Sequence, residues 1–147
     1  MRDVIHTVLR ISLLGLICLA LGCGTPAVKD GSQPVKGKLL NNGTPLTVQY
    51  KASGAGWVEL RFYPVDAAGN IGELHYQAGV MDDGSFNVPG PSNNGLPPGK
   101  YRIVVRQWDP YPEIDKLGGK YDETHSPLTR DFSGASALEL DLAKLGP

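Results

Sequence analysis

Cysteine is absent from the chain after residue 23, and neither sign of charge is in excess. The two cysteines among the 147 residues are Cys18 and Cys23. The body of the chain therefore cannot form an internal disulfide, a thiolate metal site or a cysteine nucleophile. Its 14 basic and 15 acidic residues leave a net charge of −1, and the basic residues are scattered. Because this leaves no basic field, we expect no nucleic-acid partner.

Long apolar runs are scarce as well. The clearest run, residues 11–21, follows Arg2 and Arg10. It is too short to span a bilayer, which takes about 20 apolar residues. Its length and its positive flank are instead typical of an export signal. We predict a signal peptide over residues 1–22, with a short retained membrane anchor as the alternative.

The end of this run determines how the signal is interpreted. Residues 19–23 read Leu-Ala-Leu-Gly-Cys, which resembles the lipobox of bacterial lipoproteins. In that family a small residue, here Gly22, precedes a cysteine whose sulfur receives a diacylglyceryl group, and cleavage makes this cysteine the mature N-terminus. The resemblance implies lipidation, with palmitate-type acyl chains, at Cys23. Cys18 fits less well because bulky Ile17 precedes it, and an ordinary cleaved signal is a further alternative.

Residues 23–33 predict a tether between the lipid and the rest of the chain. They consist mostly of Gly, Thr, Pro, Lys, Asp and Ser, a composition typical of flexible linkers. Each acyl methylene contributes about 0.8 kcal/mol to membrane binding, so two or three chains hold a protein permanently. The membrane is therefore an expected partner, reached through the N-terminal lipid. We expect a lipid-anchored protein on the cell membrane or the outer membrane, facing the periplasm or the exterior.

Residues 34–147 alternate between short apolar runs and turn-forming residues, which include most of the 19 glycines and 12 prolines. Within the runs, apolar side chains recur with the period of two that half-buried strands require. The sequence predicts strands at 35–39, 57–63, 74–80, 85–88, 100–106, 128–132 and 138–142. No segment of useful length has a helical period. The pattern predicts an all-β, approximately seven-stranded antiparallel sandwich, immunoglobulin-like in its strand number and spacing. Its predicted core is Val58, Leu60, Phe62, Phe86, Tyr101, Ile103, Val105, Leu138 and Leu140.

Several short motifs in this region occur in a characteristic order. They are the residues Val35-x-Gly37, the Asn42-Gly43 turn, the strand 58–64, the Asp83-Gly84-x-Phe86 turn, and residues 96–101. Together they resemble the carboxypeptidase regulatory-like domain, a transthyretin-like β-sandwich, over nearly the whole mature chain. The resemblance implies the fold but no catalytic residues, because that domain is named for a neighbouring peptidase.

Calcium binding, zinc binding and serine catalysis each have a simpler alternative in this sequence. Residues 82–84, Asp-Asp-Gly, have carboxylates that calcium favours, but they lack further ligands at a known spacing and match a hairpin turn. Zinc binding by His75 and His125, with an acid from 122–123, has no supporting spacing. Nucleophilic catalysis by a serine has no supporting motif, because the sequence lacks a Gly-x-Ser-x-Gly elbow. We therefore predict no catalytic residue, no metal and no cofactor.

The aromatic residues Trp57, Tyr63, Trp108 and Tyr111 are the remaining candidate site. They suit a platform for a glycan or a peptide, or they pack beneath the irregular segment 108–126. Exposed rings would favour binding, and buried rings would favour a scaffold. The leading functional hypothesis is a structural or adhesion-type envelope protein that is not an enzyme. The alternative is a module that binds an envelope glycan or a protein segment through these aromatics.

Overall fold

The computed structural model describes residues 31–144, except for the side chain of Ser92. Within that range no helix is long and apolar enough to cross a membrane. The all-β prediction is confirmed, since the described residues form seven strands and two short 3₁₀ helices, at Lys51–Ser53 and Pro91–Asn93. The strands are β1 (Val35–Leu40), β2 (Trp57–Pro64), β3 (Tyr76–Gly79), β4 (Ser85–Val88), β5 (Gly99–Trp108), β6 (Thr129–Phe132) and β7 (Ser136–Asp141).

The strands form two sheets, one with the order β4-β1-β7 and the other with the order β3-β2-β5-β6. Four of the pairings are antiparallel, as predicted. The pairing of β1 with β7 is parallel, which differs from the predicted antiparallel arrangement. Apolar alternation specifies which face of a strand is buried but not the direction of its neighbour. β1 and β7 also lie far apart in the sequence, so no turn motif specifies how they pair.

The core lies between the two sheets and contains all nine predicted core residues. From β2 and β5, the alternating residues Leu60, Phe62 and Ile103 are completely buried. Phe62 meets Phe86 of the other sheet with ring centroids 6.4 Å apart. Tyr101 is also buried, and its hydroxyl donates to the carbonyl oxygen of Pro97 at 2.9 Å. The buried Tyr101 hydroxyl therefore has a backbone partner.

Two predicted turns are present. Asn42 and Gly43 have φ values of 53° and 76°, as a two-residue hairpin turn requires. Gly84 has a φ of 80°, and the Asp83 side chain accepts a hydrogen bond from the amide of Ser85 at 2.9 Å. Residues 82–84 are therefore a hairpin turn between β3 and β4.

Local differences from the predicted strands occur where the pairing ends. The strand predicted at 74–80 begins only at Tyr76, so Leu74, within the predicted strand, precedes β3 and is 63% exposed. β5 extends to Trp108 because its residues 101–108 pair with the whole of β2. Between β1 and β2, the segment 44–46 has no strand structure beyond a bridge from Asn41 to Thr44.

The loops of the sandwich lie at two opposite ends. At the first, which we call the tether end, Gln33 pairs with Leu96, shortly before Gly99 begins β5. The second, which we call the far end, is where β2 begins and β5 ends, with Trp57 opposite Trp108. Eight residues of extended strand separate the two ends, roughly 25 Å. The described chain therefore starts at one end of the domain, and the two tryptophans lie at the other.

Candidate functional site

The outer face of the four-stranded sheet carries the polar and aromatic side chains of β2 and β5. Their register places Trp57 opposite Trp108 and Glu59 opposite Arg106. Glu123, in segment 109–126, contacts Arg61, Tyr63 and Arg106 on this face. Val104 is completely buried although it points away from the core. The outer-face residues are Trp57, Glu59, Arg61, Tyr63, Arg102, Val104, Arg106 and Trp108.

Glu59 is the centre of this face and is a buried carboxylate, with only 2% of the residue exposed. Arg61 Nη2 donates to its Oε1 at 2.6 Å, and Gln77 Nε2 donates to its Oε2 at 2.7 Å. The indole N–H groups of Trp57 and Trp108 also donate to it, at 3.3 and 3.2 Å. A buried charge is tolerated only when it is paired and hydrogen-bonded, and these four donors satisfy that requirement. They also fix the positions of both indole rings.

Glu123, from the covering segment, forms the second half of the network. Arg106 Nη2 donates to Oε2 of Glu123 at 2.6 Å, and Arg61 Nη1 donates to Oε1 at 3.3 Å. The Tyr63 hydroxyl donates to the same Oε1 at 3.1 Å. Arg106 also contacts Asp115 at 3.4 Å. Arg61 and Arg106 thus each lie between two acidic side chains, and these ion pairs hold segment 109–126 against the sheet.

The local environment shifts the pKa values of three members of this network. Burial disfavours ionisation of Glu123, but a backbone hydrogen bond and the Arg106 guanidinium outweigh it, so the pKa of Glu123 lies below its ordinary value. Burial raises the pKa of Tyr63. Burial acts to lower the pKa of Arg61, but the neighbouring Glu59 carboxylate raises it overall. The shifts of Glu123 and Arg61 both favour the charged forms of these two side chains.

The aromatic residues divide into two groups. Tyr111 lies against Trp57 with ring centroids 4.6 Å apart and planes tilted by 32°. It meets Trp108 edge-on at 5.3 Å, and the Arg106 guanidinium lies over the Trp108 ring at 5.5 Å. The two tryptophans are half-buried, and Tyr111 is 47% exposed. Tyr63, only 6% exposed, lies further along β2 and is not part of this aromatic cluster.

Asp109 fastens the loop that borders the aromatic cluster. Its carboxylate accepts hydrogen bonds from the amides of Gln49 and Tyr50 at 2.9 and 2.8 Å. The hydrogen bond from the Gln49 amide has the largest effect, and together with that from Tyr50 it holds the pKa of Asp109 below its ordinary value. The Tyr111 amide in turn donates to the carbonyl oxygen of Ala55 at 2.7 Å. Loops 47–56 and 109–115 are therefore joined into one surface at the far end.

The two histidines considered as zinc ligands have separate surroundings. The His75 ring stacks on Tyr63 with centroids 4.9 Å apart. His125 pairs with Asp122 at 2.9 Å on an exposed turn. Within residues 31–144 no group of three or more His, Cys, Asp or Glu side chains is placed to hold a metal ion.

Sequence reasoning named the aromatic residues as a candidate site but missed the roles of Glu59 and Asp109. Strand alternation assigned Glu59 to the outer face, where an acid is ordinarily solvated. The available signal was that Glu59 follows Trp57 in phase on the same strand, so a buried indole N–H had an acceptor nearby. Asp109 gave no comparable signal, because its partners are backbone amides distant in sequence.

Comparison of the chain with protein-family models, with characterised proteins and with solved structures gives no match. The predicted signal peptide over residues 1–22 and Cys23, the predicted lipidation site, lie outside the described residues.

Proposed function

We propose that this protein is a lipid-anchored protein of the cell envelope, attached through acyl chains on Cys23, with a structural or adhesion-type domain that is not catalytic. The observation that carries the proposal is the order of parts along the chain. An export signal that ends in a lipobox-like sequence precedes a polar tether, and β1 begins shortly afterwards at Val35. This order is what surface display of one folded domain requires.

The use of the buried carboxylates supports a scaffold function. Glu59 accepts four hydrogen bonds. Asp109 and Asp141 each accept hydrogen bonds from two backbone amides of neighbouring loops. Each acid therefore joins parts of the fold. General acid–base catalysis would instead need a carboxyl group within reach of a substrate proton.

We also propose that the sandwich is of the transthyretin-like, carboxypeptidase regulatory-like type. The ordered motifs of the sequence support it, together with the position of Tyr101. Tyr101 follows a Pro-Pro-Gly turn and bonds back to Pro97.

The anchor is tested by labelling bacterial cells with a radioactive fatty acid while they express the full chain. We expect label on the wild-type protein and no label on Cys23→Ser, because the acyl chains need the Cys23 sulfur and the mature amine. Cys18→Ser is the matched control and should keep the label. Label retained on Cys23→Ser would overturn the proposal.

A second function, binding of a glycan or a peptide, is favoured by one specific observation. The aromatic cluster of Trp57, Trp108 and Tyr111 combines a ring that is 47% exposed with two indoles fixed by a buried acid. Aromatic side chains of this kind supply a large rigid contact area at low entropic cost.

A further inference from the structure

Exposed apolar side chains are concentrated at the far end of the domain. Of the five large exposed hydrophobic residues in the described part of the chain, four belong to far-end loops, and their exposures run from 43% to 67%. The fifth, Leu74, precedes β3 towards the tether end. Single exposed apolar residues are ordinary on a protein surface, but a group of them marks an interaction site. The four residues are Tyr50, Met81, Tyr111 and Ile114.

The rings beneath this surface are held in place before any ligand arrives. Trp57 and Trp108 are the only tryptophans of the chain, and both donate their indole N–H groups to Glu59. Arg61 and Gln77 hold Glu59 itself at 2.6 and 2.7 Å. Side chains locked in this way lose little entropy on binding, as a binding site requires.

The backbone around the aromatic cluster is already paired, which disfavours a peptide added as a strand. Trp57 and Trp108 pair with each other in the sheet, and Trp108 also bridges to Asp115. The Tyr111 amide donates to Ala55, and the residues on either side of Tyr111 are prolines, which have no N–H. Strand addition needs a row of free backbone donors and acceptors. A ligand at this surface must therefore be recognised by ring faces and by side chains.

We propose that the far-end patch, comprising Tyr50, Trp57, Trp108, Tyr111 and Ile114, binds a saccharide of the envelope through its sugar rings. A pyranose with equatorial hydroxyls presents a flat face of C–H groups, which complements the negative face of an aromatic ring. Tyr111 is the stacking residue, and Glu59 is a positioning residue that acts through the two indoles. The direction in which the patch faces rests on the proposed function, because anchoring at Cys23 turns the tether end towards the membrane and the far end away from it.

The polar groups beside the patch suit the hydroxyls of such a ligand. Lys51 forms an ion pair with Asp82 between two far-end loops, and both side chains are exposed. Glu113 lies between Tyr111 and Ile114 in loop 109–115 and is also exposed. A saccharide that stacks on Tyr111 would direct its hydroxyls outward to groups of this kind, whereas a purely apolar ligand would leave them unused.

The test uses tryptophan fluorescence, since both tryptophans lie in the patch. The full chain, purified in a zwitterionic detergent without sugar groups, is titrated with cellohexaose and with the hexamer of N-acetylglucosamine. We expect a saturable change in emission with at least one of them. Tyr111→Ala should weaken binding about tenfold, Tyr111→Phe should retain it, and Leu74→Ala, at the tether end, should match the wild type.

Glu59→Gln tests the positioning role separately. The amide offers one acceptor oxygen and turns an N–H group towards the donors, so one indole loses its partner. We expect the emission of the unliganded protein to shift and the saccharide affinity to fall, while Glu139→Gln, at an exposed position of β7, changes neither.

Two outcomes would overturn the inference. One is the absence of a saturable change with both saccharides, or a change that Tyr111→Ala leaves intact. The other is a response to a decaproline peptide, abolished by Tyr111→Ala, in place of a response to saccharides, which would make the patch a peptide site. Neither outcome affects fatty-acid labelling of Cys23, so failure here is distinct from failure of the anchor.

Discussion

At the scale of single residues, Glu59 shows how a charged side chain organises this fold. It lies on the face of β2 that alternates away from the core, yet only 2% of the residue is exposed. Burial of a carboxylate is costly, and the cost is offset here by Arg61, Gln77 and two indole N–H groups. Removing the acid would leave all four donors without their acceptor.

We predict that Glu59→Ala lowers the free energy of unfolding by about 3 kcal/mol, the lower part of the range for breaking a buried pair. The loss stays in that part of the range because Arg61 keeps Glu123 as a partner and is partly exposed. Urea denaturation measures it. Glu139→Ala, an exposed acid in β7, is the control, and equal stability of the two variants would show that the Glu59 network contributes nothing.

The Glu123 carboxylate makes stability depend on pH. Its pKa is below the ordinary value in the folded protein, so the unfolded chain takes up the proton more readily. The stabilisation is therefore fully present above the unfolded pKa of about 4.3 and is lost as the pH falls through the lower folded pKa.

We expect Glu123→Gln to reduce the loss of unfolding free energy between about pH 7 and about pH 3, because the variant lacks this titrating group. Denaturation curves at both pH values give the difference. Glu139→Gln should keep the wild-type dependence. The same dependence in Glu123→Gln as in wild type would rule out a contribution from this carboxylate.

At the scale of secondary-structure elements, alternation predicted all seven strands, with most ends within one or two residues. It also predicted the buried face, since Val58, Leu60 and Phe62 all lie in the core. What alternation could not provide was the parallel pairing of β1 with β7, which depends on contacts between distant parts of the chain. The contacts of Glu123 with the outer face were likewise not predictable, because segment 109–126 has neither the period of a strand nor that of a helix.

The central position of β1 gives a test of this pairing. Gly37 lies opposite both Phe86 of β4 and Leu138 of β7. A Cβ atom added there would collide with the carbonyl oxygen of Leu138 and lie 2.7 Å from the Phe86 ring. The close approach of three strands therefore depends on the missing side chain.

We predict that Gly37→Ala lowers the free energy of unfolding by about 3 kcal/mol, because the backbone of β7 must move away. Gly79→Ala is the matched control, since a Cβ in that edge strand meets nothing within 4 Å. Its stability should stay within about 1 kcal/mol of wild type. Urea denaturation compares the two. A tolerated Gly37→Ala would contradict the parallel register of β1 and β7.

At the scale of the whole molecule, the fold separates the place where the described chain begins from the surface that exposes apolar side chains. Gln33 is at one end of the sandwich, and Trp57 and Trp108 are at the other. A lipid on Cys23 would make this geometry functional, since the far-end patch would then face away from the membrane. The direction in which the far-end patch faces therefore depends on whether Cys23 carries the lipid.

The intact mass of the protein isolated from bacterial membranes tests this claim most directly. We predict a mass equal to residues 23–147 plus a diacylglyceryl group, with or without a further acyl chain on the Cys23 amine. An N-terminal fragment should carry the whole added mass on Cys23. A protein that retains residues 1–22, or one cut elsewhere without lipid, would contradict the account.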